Sequence, residues 1–159
     1  MTIFLDDLLD YDILASLINE CYVSAKKHPS LPYTILNYTK KTQIEGQWTH
    51  ETMLTRGLIY NHETTEIVSR PFPKFFNYGE PGSPTIPTDM SIVAYDKMDG
   101  SLGILYPSPN ARHGYAVATR GSFTSDQAIW ATEWLNRQDK FPWLLRESQR
   151  SAWTPLVEI

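Results

Sequence analysis

Cysteine is almost absent from this chain of 159 residues: Cys21 is the only one. No internal disulfide can form, and no cluster of thiolates is available to a metal. A reducing, cytoplasmic setting is the expectation that follows. An excess of positive charge is also lacking, since the formal net charge is −4 at pH 7. Binding nucleic acid through bulk charge is thereby excluded, and any such contact must be local. No stretch approaches the roughly 18 apolar residues of a bilayer span, so a soluble protein with no membrane contact is expected. Residues 1 to 7 carry no basic region ahead of their apolar residues, and acids interrupt them at once, which argues against a signal peptide. There is no glycine-rich loop followed by Lys-Ser/Thr and no Gly-x-Ser-x-Gly, which removes the P-loop proteins and the hydrolase elbow. His28, His50, His62 and His113 lie in polar stretches without ligand-like spacing, so a structural zinc site is not expected.

What is present fits one globular domain, with 42% apolar and 20% charged residues. Between residues 8 and 26, Leu9, Ile13, Leu14, Leu17, Ile18 and Cys21 recur at helical spacing, which predicts an amphipathic helix ended by His28-Pro29, with Cys21 a packed core thiol. Tyr33 to Tyr38 predicts a strand, and the polar residues 39 to 51 predict a loop. Gly57 to Tyr60 and Glu66 to Arg70 flank a polar turn, the pattern of an antiparallel hairpin. The segment Lys74-Phe75-Phe76-Asn77-Tyr78 interleaves a cation with aromatics, and alternation places one of the two phenylalanines in the core. Residues 81 to 87, with three prolines, predict a loop. Tyr115 to Arg120 predicts a strand. Thr124 or Ser125 caps a helix with Ala128, Ile129, Ala131 and Trp134 on its apolar face, and Trp143, Leu144 and Leu145 seed a shorter one. Pro155 to Ile159 opens a further strand. Strands outnumber helices and arrive as hairpins, so the class is α+β with antiparallel sheets and flanking helices. Ending on an apolar strand predicts more sequence on the C-terminal side.

The chemistry centres on Lys97, in Tyr95-Asp96-Lys97-Met98-Asp99-Gly100-Ser101 between the apolar runs 91 to 95 and 102 to 106. Two strands joined at Lys97 would hold the lysine at a strand end, where ligands dock. Asp99-Gly100 is equally a hairpin-turn signal, under which Lys97 is an exposed turn lysine. A lysine attacks phosphorus only as the neutral amine, a state that desolvation or neighbouring cations favour. Arg56, Arg70, Lys74 and Arg120 stand beside predicted strand ends. Singly each reads as a surface cation, but together they offer the convergent charge that a polyphosphate requires. Tyr38 is either a half-buried strand tyrosine or a ring for a nucleotide. Glu158, bracketed by apolar residues, either faces water or turns inward, where it needs a hydrogen-bond partner such as a ribose hydroxyl.

Thr55-Arg56-Gly57-Leu58-Ile59-Tyr60, Ser69-Arg70-Pro71-Phe72-Pro73-Lys74-Phe75-Phe76-Asn77, Lys97-Met98-Asp99-Gly100-Ser101, Thr119-Arg120-Gly121-Ser122 and Val157-Glu158-Ile159 follow one another in this order. The pattern resembles the phage T4 RNA ligase 1 family, within the covalent nucleotidyltransferases that include DNA ligases and mRNA capping enzymes. The resemblance implies an ATP-grasp-like nucleotidyltransferase domain of the ligase and capping-enzyme type, of which residues 1 to 159 are the N-terminal part, incomplete at the C-terminus. It implies an ATP-dependent RNA ligase, with magnesium, in which Lys97 becomes lysyl-AMP and an RNA 5′-phosphate is then sealed to a 3′-hydroxyl. Tyr38, Arg56, Lys74, Asp99, Gly100, Arg120 and Glu158 match its ATP-binding positions, Arg120 standing where the family has a lysine. RNA ends, cleaved tRNA among them, and a C-terminal half of a split ligase are the implied partners. A catalytically incomplete module that binds RNA ends or a partner, and a DNA ligase or capping-type enzyme, are the alternatives.

Overall fold

The computed structural model describes residues 2–87, 89, 91, 93–139 and 153–159. The helix expected around Trp143, Leu144 and Leu145 lies outside the described residues.

Two antiparallel sheets face each other, and each is covered on its outer side by a helix. The first sheet has the order β1 (Val23–Lys27), β2 (Tyr33–Tyr38), β3 (Arg56–Asn61), β4 (Ile67–Ser69). The second is β6 (Tyr115–Thr119), β5 (Leu102–Pro107), β7 (Leu156–Glu158), with β5 in the middle. Alternation along the strands decides which side chains meet. Ile35 and Ile59 point from the first sheet into a buried cluster with Ile104, Tyr106, Ala116 and Ala118 of the second. Their neighbours Leu36 and Leu58 point the other way, onto Leu14 and Leu17 of helix α1 (Tyr11–Asn19). On the far side, Leu105, Tyr115 and Val117 pack against Ala131 and Leu135 of helix α4 (Asp126–Arg137). Fully burying an isoleucine such as Ile59 or Ile104 stabilises by roughly 1.5–3 kcal/mol. A buried polar tie joins the sheets: the Ser69 hydroxyl donates to the Leu105 carbonyl at 2.8 Å.

The α+β class with antiparallel sheets is what the sequence predicts, and so are β2, the β3–β4 hairpin, β6, β7 and the Ser125-capped α4. Four elements differ. The N-terminal helix is shorter than residues 8 to 26. Asp10 caps its start by accepting the N–H groups of Asp12 and Ile13, a 3₁₀ turn over Leu5–Asp7 precedes it, and Cys21 at φ 63° turns the chain into β1. Left-handed backbone ends the helix there, so Cys21 is exposed rather than a packed thiol. β1 itself ends in the exposed Lys26 and Lys27.

Residues 39 to 51 contain two short helices where a loop was expected, α2 (Lys40–Glu45) and α3 (His50–Leu54). Thr39 and Thr49 cap them, and Thr49 forms a reciprocal pair with Thr52. Ser91, Val93, Ala94 and Tyr95 form no strand, so there is no hairpin at Lys97. β5 already has β6 on one edge and β7 on the other, which leaves no backbone groups for a third partner. On α4 the buried residues are Ala128, Ala131 and Leu135, while Ile129 and Trp134 are exposed. Among the described residues no helix is long and apolar enough to cross a membrane.

At the turn between β1 and β2, His28 Nδ1 accepts the N–H groups of Ser30 and Leu31, and its Nε2 lies 3.1 Å from the Tyr106 hydroxyl. Nδ1 therefore carries no proton, and burial pushes the imidazole below the ordinary histidine range. A depressed folded-state value means that the unfolded chain binds more protons, so the contribution is present above about pH 6.5 and is lost as pH falls towards the folded-state value. The melting temperature is expected to drop on acidification below about pH 6.5 more steeply in the native chain than in His28→Asn, whose amide oxygen accepts without titrating. Parallel melting profiles for the two would exclude this role.

Candidate nucleotide site

The same end of the two facing sheets gathers the C-terminal ends of β2 and β6, the start of β3, the segment leading into β5, and β7. Between them opens a cavity of about 860 Å³, within the range of roughly 300–1,000 Å³ usual for small-molecule sites. Arg56, Lys97, Gly100, Arg120 and Glu158 line it, together with Asn37, Asp96, Phe72 and Phe75. Its ionisable lining is thus Arg56, Lys97 and Arg120 against Asp96 and Glu158.

Arg56 reaches the cavity because β3 carries a bulge. Leu36 pairs with Leu58 and Asn37 with Arg56, so Gly57 is the extra residue. Strict alternation would send Arg56 to the Leu58 side, against α1. With Gly57 inserted at φ 89°, Arg56 joins Asn37 on the side facing the second sheet. A side chain at Gly57 has no room there: its Cβ would lie 2.4 Å from Ile104 Cδ1 and 3.3 Å from Arg120 Cα. The arginine is then held by the segment after β4, donating to the Phe72 carbonyl at 3.4 Å with its guanidinium 5.1 Å from the centre of the Phe75 ring.

Arg120, just past β6, donates to the Tyr38 hydroxyl at 2.7 Å and lies over the same ring at 4.8 Å. Tyr38 is buried and braces Arg120 from behind the lining. Lys97 stands on the segment entering β5. Its ammonium pairs with Asp99 at 3.1 Å, with side chains 79% and 98% exposed. A pair so solvated contributes about 0–1 kcal/mol and leaves Lys97 free to move. Gly100 brings this segment against β7, where a Cβ would fall 2.5 Å from the Ile159 carbonyl oxygen and 3.0 Å from Glu158 Cγ. Glu158, opposite Leu102 in the ladder, is exposed and lines the cavity.

Two of the cations noted in the sequence do not line this cavity. Arg70 lines a neighbouring cleft of about 760 Å³ beside Phe72 and Trp153, its N–H donating to Thr154 Oγ1. Lys74 turns to the aromatics, with its ammonium 3.9 Å from the Phe76 ring centre and 5.3 Å from that of Trp48, and donates to the Phe75 carbonyl. Burial, assisted by Arg56, pushes Lys74 below the ordinary lysine range, with Glu80 opposing. Neither phenylalanine enters the core, because the segment is not a strand: Phe75 is exposed and Phe76 half-buried. Phe72 and Phe75 belong to the Ser69-to-Asn77 block, but their place in the lining emerges only from the fold, and Asn37 and Trp48 carry no motif signal at all. Among the described residues no group of three or more His, Cys, Asp or Glu is placed to hold a metal ion.

A cavity with an exposed lysine, two arginines held by aromatic rings and a rim carboxylate, set between antiparallel sheets, is suited to a phosphorylated ligand. A family model described as RNA ligase, of the T4 RNA ligase 1 type, matches residues 54–159. The chain belongs to the T4 RNA ligase 1-like family. It is also 30% identical over 108 residues to a protein of Thermovibrio ammonificans named "Putative RNA ligase", a match over 65% of this chain. The chain spans about a quarter of the length of that relative, 27%.

Gly57→Ala is expected to destabilise the fold by about 2 kcal/mol or more, combining left-handed strain of ~1–2 kcal/mol with overpacking of ~1–3 kcal/mol. Urea unfolding measures it, and a change within about 0.5 kcal/mol, the range of ordinary surface substitutions, would mean that the sheets do not need this approach.

Proposed function

We propose that the chain is the N-terminal part of the adenylation domain of an ATP-dependent RNA ligase, with the ATP-grasp-like nucleotidyltransferase architecture of ligases and capping enzymes. The observation that carries the reading is the convergence of Lys97, Arg56, Arg120 and Glu158 on one cavity, in a chain of the RNA ligase family.

On this reading Lys97 leaves Asp99, gives up one proton to the water it faces, attacks the α-phosphorus of ATP through Nζ, and loses a second proton from that nitrogen to water as the phosphoramidate forms. The N–P bond forms as the bond to pyrophosphate breaks, and pyrophosphate leaves with the bonding electrons. Arg56 and Arg120 take the charge that spreads over the phosphate oxygens, a positioning and electrostatic role that dominates such transfers. Glu158 accepts from a ribose hydroxyl at the rim, and Asp99 and Gly100 shape the turn that presents Lys97. Lys74 joins the phosphate contacts by swinging out from its aromatic seat. An RNA 5′-phosphate oxygen next displaces Lys97 from the adenylate, and a 3′-hydroxyl then displaces AMP to seal the strand. RNA ends are therefore the substrate class, and cleaved tRNA falls within it. Magnesium, bound with the nucleotide, supplies charge neutralisation. Further residues C-terminal to this segment, in the same polypeptide or a separate subunit, complete the pocket.

Incubating the chain with magnesium and ATP labelled at the α-phosphorus, alone and with the C-terminal part of a family ligase, is expected to label it covalently. Lys97→Ala should abolish the label, and Arg56→Ala or Arg120→Ala should reduce it about 10²-fold, the scale of losing one charge-stabilising donor. An equally labelled Lys97→Ala, or no label on the complemented chain, overturns the proposal. End-joining on RNA and DNA decides between the two polymers.

A further inference from the structure

One side chain outside the motif pattern connects a cation of the site, Arg120, with a cation beside it, Lys74. Trp48 lies in the short link between α2 and α3, pinned on one side by Gly46 in left-handed backbone and on the other by the Thr49 cap. Its ring meets Tyr38 edge to face at 5.0 Å and Phe76 at 5.7 Å. Lys74 rests over Trp48 and Phe76, while Tyr38 carries Arg120. Lys74, Trp48, Tyr38 and Arg120 therefore form one unbroken series of contacts.

We propose that Trp48 is a positioning residue of the nucleotide site, seating the Lys74 ammonium on one edge and bracing Tyr38, and through it Arg120, on the other. The inference rests on the nucleotide-binding reading above. An aromatic wall suits such a seat because it attracts an ammonium through its ring face without the strong directional hold of a carboxylate, so Lys74 is kept close yet can be drawn away by phosphate. An acid in place of Trp48 would compete with that phosphate. The groups facing Lys74 are the rings of Trp48 and Phe76 together with Glu80 and Arg56, and burial lowers its titration.

Two readouts test this on the intact chain. The Lys74 ammonium, followed by NMR through its ε-carbon, should titrate closer to the ordinary lysine range in Trp48→Leu than in the native chain, and Trp48→Phe should keep most of the native shift. The dissociation constant for α,β-methylene-ATP should rise roughly tenfold in Trp48→Leu, the factor equivalent to about 1.4 kcal/mol, and much less in Trp48→Phe. Melting curves of both variants confirm that they fold, and Trp48→Tyr replaces any that does not. An unchanged Lys74 titration, or equal affinities for all variants, overturns the role of Trp48. The titration needs no nucleotide, so a Lys74 shift in a chain that never takes up AMP retires the ligase reading while leaving the seating of Lys74 intact.

Discussion

The close approach of the two sheets at Gly57 is the constraint on which the site depends. Backbone meets side chain there without an intervening Cβ, so Ile104 of β5 and Arg120, just past β6, come directly against β3. The same glycine inserts the bulge that turns Arg56 to the side shared with Asn37. One residue thus sets both the separation of the layers and the direction of a cation. Widening the gap would part Arg56 from Arg120, and removing the bulge would bury Arg56 against the leucines of α1, where an unpaired charge is costly.

Strands rich in β-branched and aromatic residues were legible in the sequence, because composition and burial agree in β2, β3 and β6. Elements whose state is decided at long range were not. β1 reads Val-Ser-Ala-Lys-Lys, with little strand propensity, and is extended because β2 offers it a full antiparallel register from Val23–Tyr38 to Lys27–Thr34. The converse holds at Ser91, Val93, Ala94 and Tyr95, in a stretch apolar enough for a strand, because β6 and β7 already occupy both edges of β5. The short helices after β2 hide in a polar composition, betrayed only by threonines placed for capping.

The candidate site divides along similar lines. Its covalent pattern, a lysine before Asp-Gly with arginines at strand ends, is local, and the fold sets Arg56, Lys97, Arg120 and Glu158 around one opening. Where a long side chain points is not local. Lys74 turns to Trp48 and Phe76 because rings from three separate segments meet there, and Tyr38 is occupied by Arg120 for the same reason. Trp48, in a stretch that reads as polar loop, gave no signal of its own, since ring geometry exists only after α2 and α3 have formed.

β1 has a consequence beyond the site. It is the outermost strand of its sheet, and one of its edges has backbone groups that β2 does not use. Two successive lysines at its end, both exposed, place like charges where a second copy would have to align. A second copy added in parallel register across that edge would force the ammonium groups together. β1 can therefore complete the sheet without inviting it to grow, which guards against edge-to-edge aggregation in a chain that carries little net charge for its size.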